Sequence, residues 1–334
     1  MLLPRARLLA AVTLFASGAA RAEPAACAGE VRVSPCFDAD PLWLPTTPSR
    51  FAGLPSPRSL SAGALSTSFG ASYSHRPVVL VAPSPDPDGR EIPVVENTST
   101  LTLGARYGLG HGLDAGLVVP IVPYQNGTGT EGVTAQHGSD LTPTTLRDPR
   151  LEFSATLLGR APDAPLALGT RLVLALPIGA SSALAGYASP TLAPGAGAEL
   201  RLARFTLGAD FSLRFREAVN FGSVREGSEA VFAVGAAFEL LRAPELGVGV
   251  EASLRPRLAS PPPGAAEETL DLPAEWLGSV RFSPAPGGAF SLFAGAGSGL
   301  PLSYAAEPGT ARETTLGVTA PAFRAVLAAR HVFP

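Results

Sequence analysis

The stretch Phe205-Thr-Leu-Gly-Ala-Asp-Phe-Ser-Leu-Arg-Phe-Arg216 decides the fold class. Phe205, Leu207, Ala209, Phe211, Leu213 and Phe215 alternate one by one with Thr206, Gly208, Asp210, Ser212, Arg214 and Arg216. Successive side chains of a strand point to opposite faces, so this is a β-strand with one apolar and one polar face. The same period recurs on both sides of it. Leu101, Leu103, Ala105 and Tyr107 stand against Thr100, Thr102, Gly104 and Arg106, and Leu151, Phe153, Ala155 and Leu157 against Arg150, Glu152, Ser154 and Thr156. About twelve such segments follow one another, near 65–75, 98–109, 112–122, 147–158, 165–177, 191–202, 204–216, 229–241, 245–256, 272–283, 288–299 and 320–333. Helical periodicity is almost absent, and the fold class is all-β.

Alternation alone fits both a soluble sandwich and a membrane barrel, because each has strands with one wet face. Length separates them. Soluble strands average about five or six residues, whereas a tilted transmembrane strand needs about nine to eleven, and these segments run to about eleven. Connection lengths also alternate. Tight ones fall at 110–112, 159–165, 203, 242–244 and 284–288, and long ones at 123–146, 178–190 and 301–319. Short periplasmic turns and long external loops are the outer-membrane pattern. The expected architecture is a transmembrane antiparallel up-and-down β-barrel of about 12 strands over residues 65–334, with both chain ends on the short-turn side.

Charge placement is an independent check, since a charge facing lipid near mid-bilayer costs about 2–4 kcal/mol. The mid-strand charges all carry the parity of the polar face: Arg106, Asp114, Arg150, Glu152, Arg171, Glu199, Arg201, Asp210, Arg214, Glu239, Glu251, Arg255, Glu275, Arg281 and Arg324. They are expected to line the lumen. The last strand places Phe323, Ala325, Leu327, Ala329, His331 and Phe333 on one face; such a strand closing on an aromatic resembles the signal read by the barrel-assembly machinery, with Pro334 added after it.

At the other end, Arg5 and Arg7 precede the apolar run Leu8 to Ala16, and Ala20-Arg21-Ala22 offers a small-x-small cleavage site. Residues 1–22 therefore read as a signal peptide, and the mature chain as exported. No later stretch reaches the roughly 18 apolar residues of a transmembrane helix, so insertion has to be as a barrel. Residues 23–64, rich in Pro and Ser, are expected to hang in the periplasm or to plug the barrel. In an oxidising compartment Cys27 and Cys36 are expected to form one disulfide. A net charge of −3, with no lysine and no basic stripe, argues against nucleic acid as a partner. The expected partners are outer-membrane lipid and lipopolysaccharide, the assembly machinery during insertion, and small polar solutes.

Several phrases at strand ends resemble the OmpA-like outer-membrane β-barrel family of high-GC Gram-negative bacteria. They are Tyr73-Ser-His-Arg-Pro-Val-Val-Leu80, Pro83-Ser-Pro-Asp-Pro-Asp-Gly-Arg90, Tyr107-Gly-Leu-Gly-His-Gly-Leu-Asp-Ala-Gly-Leu117, Leu146-Arg-Asp-Pro-Arg-Leu151, Ala175-Leu-Pro-Ile-Gly179 and Pro321-Ala-Phe-Arg-Ala-Val-Leu327. The resemblance spans roughly residues 43–334 and implies the barrel part alone, without the family's peptidoglycan-binding domain.

Chemical motifs are sparse. Glycines 108, 110 and 112, and 295, 297 and 299, imitate half a nucleotide-binding loop, but they lie at strand ends with no helix following. Asp86-Pro-Asp-Gly89 lacks the further acids of a calcium loop, and the four histidines, at 75, 111, 137 and 331, make no ligand pair. No cofactor, metal or enzymatic activity is expected. Twelve strands lie between barrels filled by their own side chains and those with a water channel. The leading expectation is a structural protein or narrow channel for small polar solutes. A non-conducting scaffold acting through the loops at 77–97, 123–146 and 300–319 is the alternative, and an outer-membrane lipid hydrolase a more remote one.

Overall fold

The structure is a computed structural model that describes residues 27, 33–82, 90–131, 133, 140–161, 163–222, 224–259, 272–285, 289–300 and 316–334. The expected signal peptide at 1–22, the Pro-rich turn at 83–89 and the connection at 301–315 lie outside the described residues.

In chain order the strands are β1 (Leu65–Ala82), β2 (Arg90–Gly110), β3 (Leu113–Asn126), β4 (Thr145–Leu146), β5 (Arg150–Leu158), β6 (Leu166–Ala175), β7 (Thr191–Leu202), β8 (Phe205–Arg214), β9 (Val219–Phe221), β10 (Val224–Glu226), β11 (Glu229–Arg242), β12 (Glu245–Leu254), β13 (Ala274–Ser283), β14 (Phe290–Gly299), β15 (Leu316–Val318) and β16 (Phe323–Phe333). Apart from the separate β9–β10 hairpin and the short β4 and β15, twelve antiparallel strands form one wall that closes on itself. Closure is visible at Leu65, which stands opposite Phe333 of β16 on one side and Tyr107 of β2 on the other. A closed barrel leaves no unpaired edge, which is what allows strands to cross a hydrocarbon layer.

Tight turns join the strands at one end. The β2–β3 turn uses left-handed backbone at three successive positions, Gly110, His111 and Gly112, with φ of 90°, 56° and 79°. At the other end the connections are longer and carry the β9–β10 hairpin and a short 3₁₀ turn at Ser181–Ala183. The faces follow the alternation. Leu103, Leu207, Phe211 and Leu327 are exposed on the outside, while Arg106, Asp210 and Arg324 are buried inside.

Two expectations need correction. The stretch 77–97 is largely not a loop, because β1 and β2 run on for 18 and 21 residues. The ladder resumes after bulges near His75 and Val78, and the apolar Val78, Leu80, Val94 and Val95 extend it. They pack with Val33, Phe37, Leu184, Tyr187 and Phe221 into an apolar cap over the long-loop end, where the rings of Phe37 and Phe221 meet edge to face at 5.0 Å. The second correction concerns the N-terminal side of the chain. The barrel strands do begin and end at the short turns, but residues 33–64 run back through the barrel to the long-loop end. Val33 bridges Phe221 and Asp38 bridges Ala185 there, and at the opposite end the N–H of Gly63 donates to the carbonyl of Gly108.

Cys27 and Cys36 are joined by a disulfide at the long-loop end, with the Cys27 sulfur 3.7 Å from Ser181 Oγ. Intact mass without reductant is expected to show no free thiol. Replacing both cysteines by serine should cost no more than about 3 kcal/mol, the chain entropy of so short a loop. Two titratable thiols in protein isolated without reductant would refute the pairing.

Candidate functional site

The barrel interior is the candidate site, and its wall is a set of paired charges. Arg106 of β2 binds Asp114 of β3 and Glu152 of β5, with Arg150 3.9 Å from the same glutamate. Arg171 of β6 forks onto Asp210 of β8. Arg214 of β8 meets Glu229 of β11 at 3.0 Å, Arg255 meets Glu275 at 2.7 Å, and Arg281 meets Glu245 at 2.6 Å. Near the short turns Glu199 of β7 accepts from both Arg201, at 2.8 Å, and Arg58, at 3.0 Å. Glu239 holds Arg242 at 3.3 Å and Arg50 at 3.4 Å. Buried charges persist when they are paired or hydrogen-bonded, since desolvating an isolated one costs several kcal/mol.

Residues 33–64 supply several of the partners. Asp40 accepts from Arg324 of β16 at 2.7 Å and from Arg147 at 3.0 Å, while Arg324 also binds Glu275 at 2.8 Å. Asp38 binds Arg147 as well. The Glu251 carboxylate of β12 accepts three backbone N–H groups, from Ala52 at 2.8 Å, Gly53 at 2.9 Å and Leu54 at 2.6 Å. Arg330 of β16 donates to the carbonyls of Phe51, at 2.9 Å, and Ala52, at 2.7 Å. Trp43 lies between two guanidinium groups, Arg214 at 3.9 Å and Arg150 at 4.9 Å from its ring. Such cation–π contacts strengthen where water is excluded.

Glycines on the inner face make room for this segment. A Cβ at Gly70 would fall 2.6 Å from Leu44, at Gly104 2.3 Å from Thr46, at Gly208 2.4 Å from Leu54, and at Gly235 2.7 Å from Phe51. On β13, β14 and β16 the inner face turns apolar, with Leu277, Phe293, Val326 and Ala328 against Leu44 and Ala52.

Between wall and segment lies a central chamber of about 120 Å³, lined by Arg106, Glu152, Arg171, Asp210, Arg214, Arg255 and Glu275 of the wall and by Leu42, Trp43 and Pro55–Pro57 of the segment. Two smaller spaces of about 10 Å³ each lie toward the ends. One, beside Asp38, Arg150, Tyr187 and Arg216, is divided from the central chamber by Trp43. The other, beside Arg50, Glu239, Glu245 and Arg281, lies nearer the short turns. In the link between β4 and β5, Asp148 accepts the N–H groups of Gly179 and Tyr187, both at 2.8 Å; burial still pushes its carboxyl up to about 6.

The fifteen charged residues expected to line the lumen are engaged with one another and with the segment. Arg330 was missed although it shares the parity of Arg324. Asp38, Asp40, Trp43, Arg50, Phe51 and Arg58 were missed because residues 33–64 have no periodicity. The available signal was the glycines at inward positions, Gly70, Gly104, Gly208 and Gly235, which leave space that something else must fill.

No family model and no curated protein matches the chain, so the OmpA-like resemblance rests on the strand-end phrases alone. Solved structures do match. An outer membrane channel from Pseudomonas putida F1 aligns over 83% of this chain and 98% of its own, at 12% identity and a TM-score of 0.57. The NanC porin aligns over 80% and 98%, at 6% identity and a TM-score of 0.42. At such identities the likeness is one of fold, and the fold is that of the outer-membrane β-barrel channels.

Proposed function

We propose that the chain is an outer-membrane channel for small polar solutes, narrowed from within by residues 33–64. The observation that carries this reading is the charged central chamber with a smaller space on either side of it along the barrel. Arginines and carboxylates alternate around that chamber, so its lining presents strong dipoles without a large net charge, and a small polar solute can exchange hydrogen bonds along it. Trp43, which borders both the central chamber and the space toward the long loops, and Phe51, whose ring fills the interior against Gly208 and Gly235, narrow the lumen. The arrangement asks for no catalytic group, and the outer membrane is the compartment that a channel fold with an apolar outer belt fits.

In planar bilayers the purified full chain is expected to give small, infrequent conductance steps, and Trp43→Ala together with Phe51→Ala larger and more frequent ones. Faster migration of unheated than of boiled protein in detergent gels verifies that the barrel is folded in each sample. Silence of the folded double variant would replace the channel by a non-conducting scaffold acting through its external loops.

A further inference from the structure

We propose that residues 41–60 are a movable strap across the lumen and that Glu251 is its latch. The strap differs from the wall in how it is held. Among the described residues, no backbone–backbone hydrogen bond joins residues 41–60 to the barrel, whereas both flanks are tied that way: Ser34 to Asn220 and Ala39 to Leu184 at one end, Gly63 and Ala64 to Gly108 at the other. Prolines at 41, 45, 48, 55 and 57 make this possible, because each removes a backbone donor that an irregular buried chain would otherwise leave unsatisfied. The middle of the strap therefore depends on side chains, and moving it breaks no strand ladder.

Arg58 makes four hydrogen bonds to the barrel near the short turns, and in the middle of the strap Glu251 holds the backbone itself. Three consecutive N–H groups, of Ala52, Gly53 and Leu54, converge on its two oxygens. Hydrogen bonds to a charged acceptor are roughly twice as strong as neutral ones, and consecutive N–H groups turned to one anion form a nest that favours the carboxylate. The residue just before them is Phe51, whose ring fills the slot above Gly208 and Gly235. Arg330 grips the same turn through the carbonyls of Phe51 and Ala52. Releasing residues 51–54 would let the strap bow toward the central chamber, which Gly53 borders, and draw Phe51 from its slot.

The latch deepens the channel reading and relies on it for any effect on conduction, though not for the movement itself. The test uses the full chain carrying Ser49→Cys, a near-isosteric change of a buried strap residue; Cys27 and Cys36 are already bonded to each other. The rate of its modification by a small methanethiosulfonate reagent is compared with and without Glu251→Gln, in samples shown by gel migration to be folded. The neutral amide has one acceptor oxygen in place of two and no charge, so at least tenfold faster labelling is expected. Arg330→Gln, which frees the carbonyls of the same turn, should act in the same direction and serves where Glu251→Gln fails to assemble. Unchanged labelling in a folded latch variant overturns the latch. Faster labelling without any rise in bilayer conductance upholds the latch and counts against the channel.

Discussion

Arg324→Met is expected to lower the stability of the barrel by about 3–5 kcal/mol, the effect of removing one member of a buried charge cluster. Arg324 is 2% exposed and binds Asp40 at 2.7 Å and Glu275 at 2.8 Å. Methionine keeps most of the bulk but leaves two carboxylates short of a partner in a medium where an unpaired charge is costly. The loss should fall toward the lower figure, because Asp40 retains Arg147 at 3.0 Å and Glu275 retains Arg255 at 2.7 Å. Urea unfolding of the refolded barrel in detergent measures it. Asp40→Asn added to Arg324→Met should recover part of the loss, since it removes one of the stranded charges, and a coupling of about 0.5–3 kcal/mol is the range for groups in contact. A double variant no more stable than Arg324→Met would mean that Asp40 does not feel the arginine. Because Arg324 belongs to the last strand and Asp40 to the inner segment, the cycle also measures how firmly the segment's long-loop end is tied to the wall.

The wall was legible in the sequence because a strand between lipid and a polar interior has to alternate, and a single charge on the wrong face is too costly to be tolerated. That constraint repeats about every second residue from Leu151 to Leu157 or from Phe205 to Phe215, so noise at one position does not hide it. It also fixes the inward charges, down to Arg214 and Arg324. The inner segment obeys no such rule. Leu44, Phe51 and Leu54 are each placed by a particular hollow, over Gly70 or at Gly208 and Gly235, and Trp43 by the guanidinium groups of Arg150 and Arg214; such one-to-one fits leave no period to read. The same absence explains the turn at 77–97. Pro77 and the Pro-rich run from Pro83 end the alternation, and only the apolar cap formed with Phe37 and Phe221 makes extended strands out of Val78–Leu80 and Val94–Val95. Long-range packing of this kind joins residues more than forty positions apart, beyond the reach of local pattern.

Ala209→Arg against Ser212→Arg tests the face assignment on which every statement about the lumen depends. Ala209 stands at the middle of β8 on the outer face, between Ala198 of β7 and Val234 of β11, while Ser212, three residues on, is 3% exposed and borders the central chamber. An arginine at 209 has no inward route, since its Cβ points away from the barrel; if that position lies at mid-bilayer, the cost is about 2–4 kcal/mol. It should appear as loss of the fast-migrating unheated band after assembly in cells. An arginine at 212 enters a space of about 120 Å³ beside Asp210 and Arg214, where water and a carboxylate can receive it, so this variant should assemble. In a conducting barrel it adds positive potential to a lining that is otherwise nearly balanced, and selectivity should move toward anions. Equal tolerance at the two positions would mean that β8 has no lipid face. The alternating exposure of Leu207, Ala209 and Phe211 would then have to be covered by something other than a membrane.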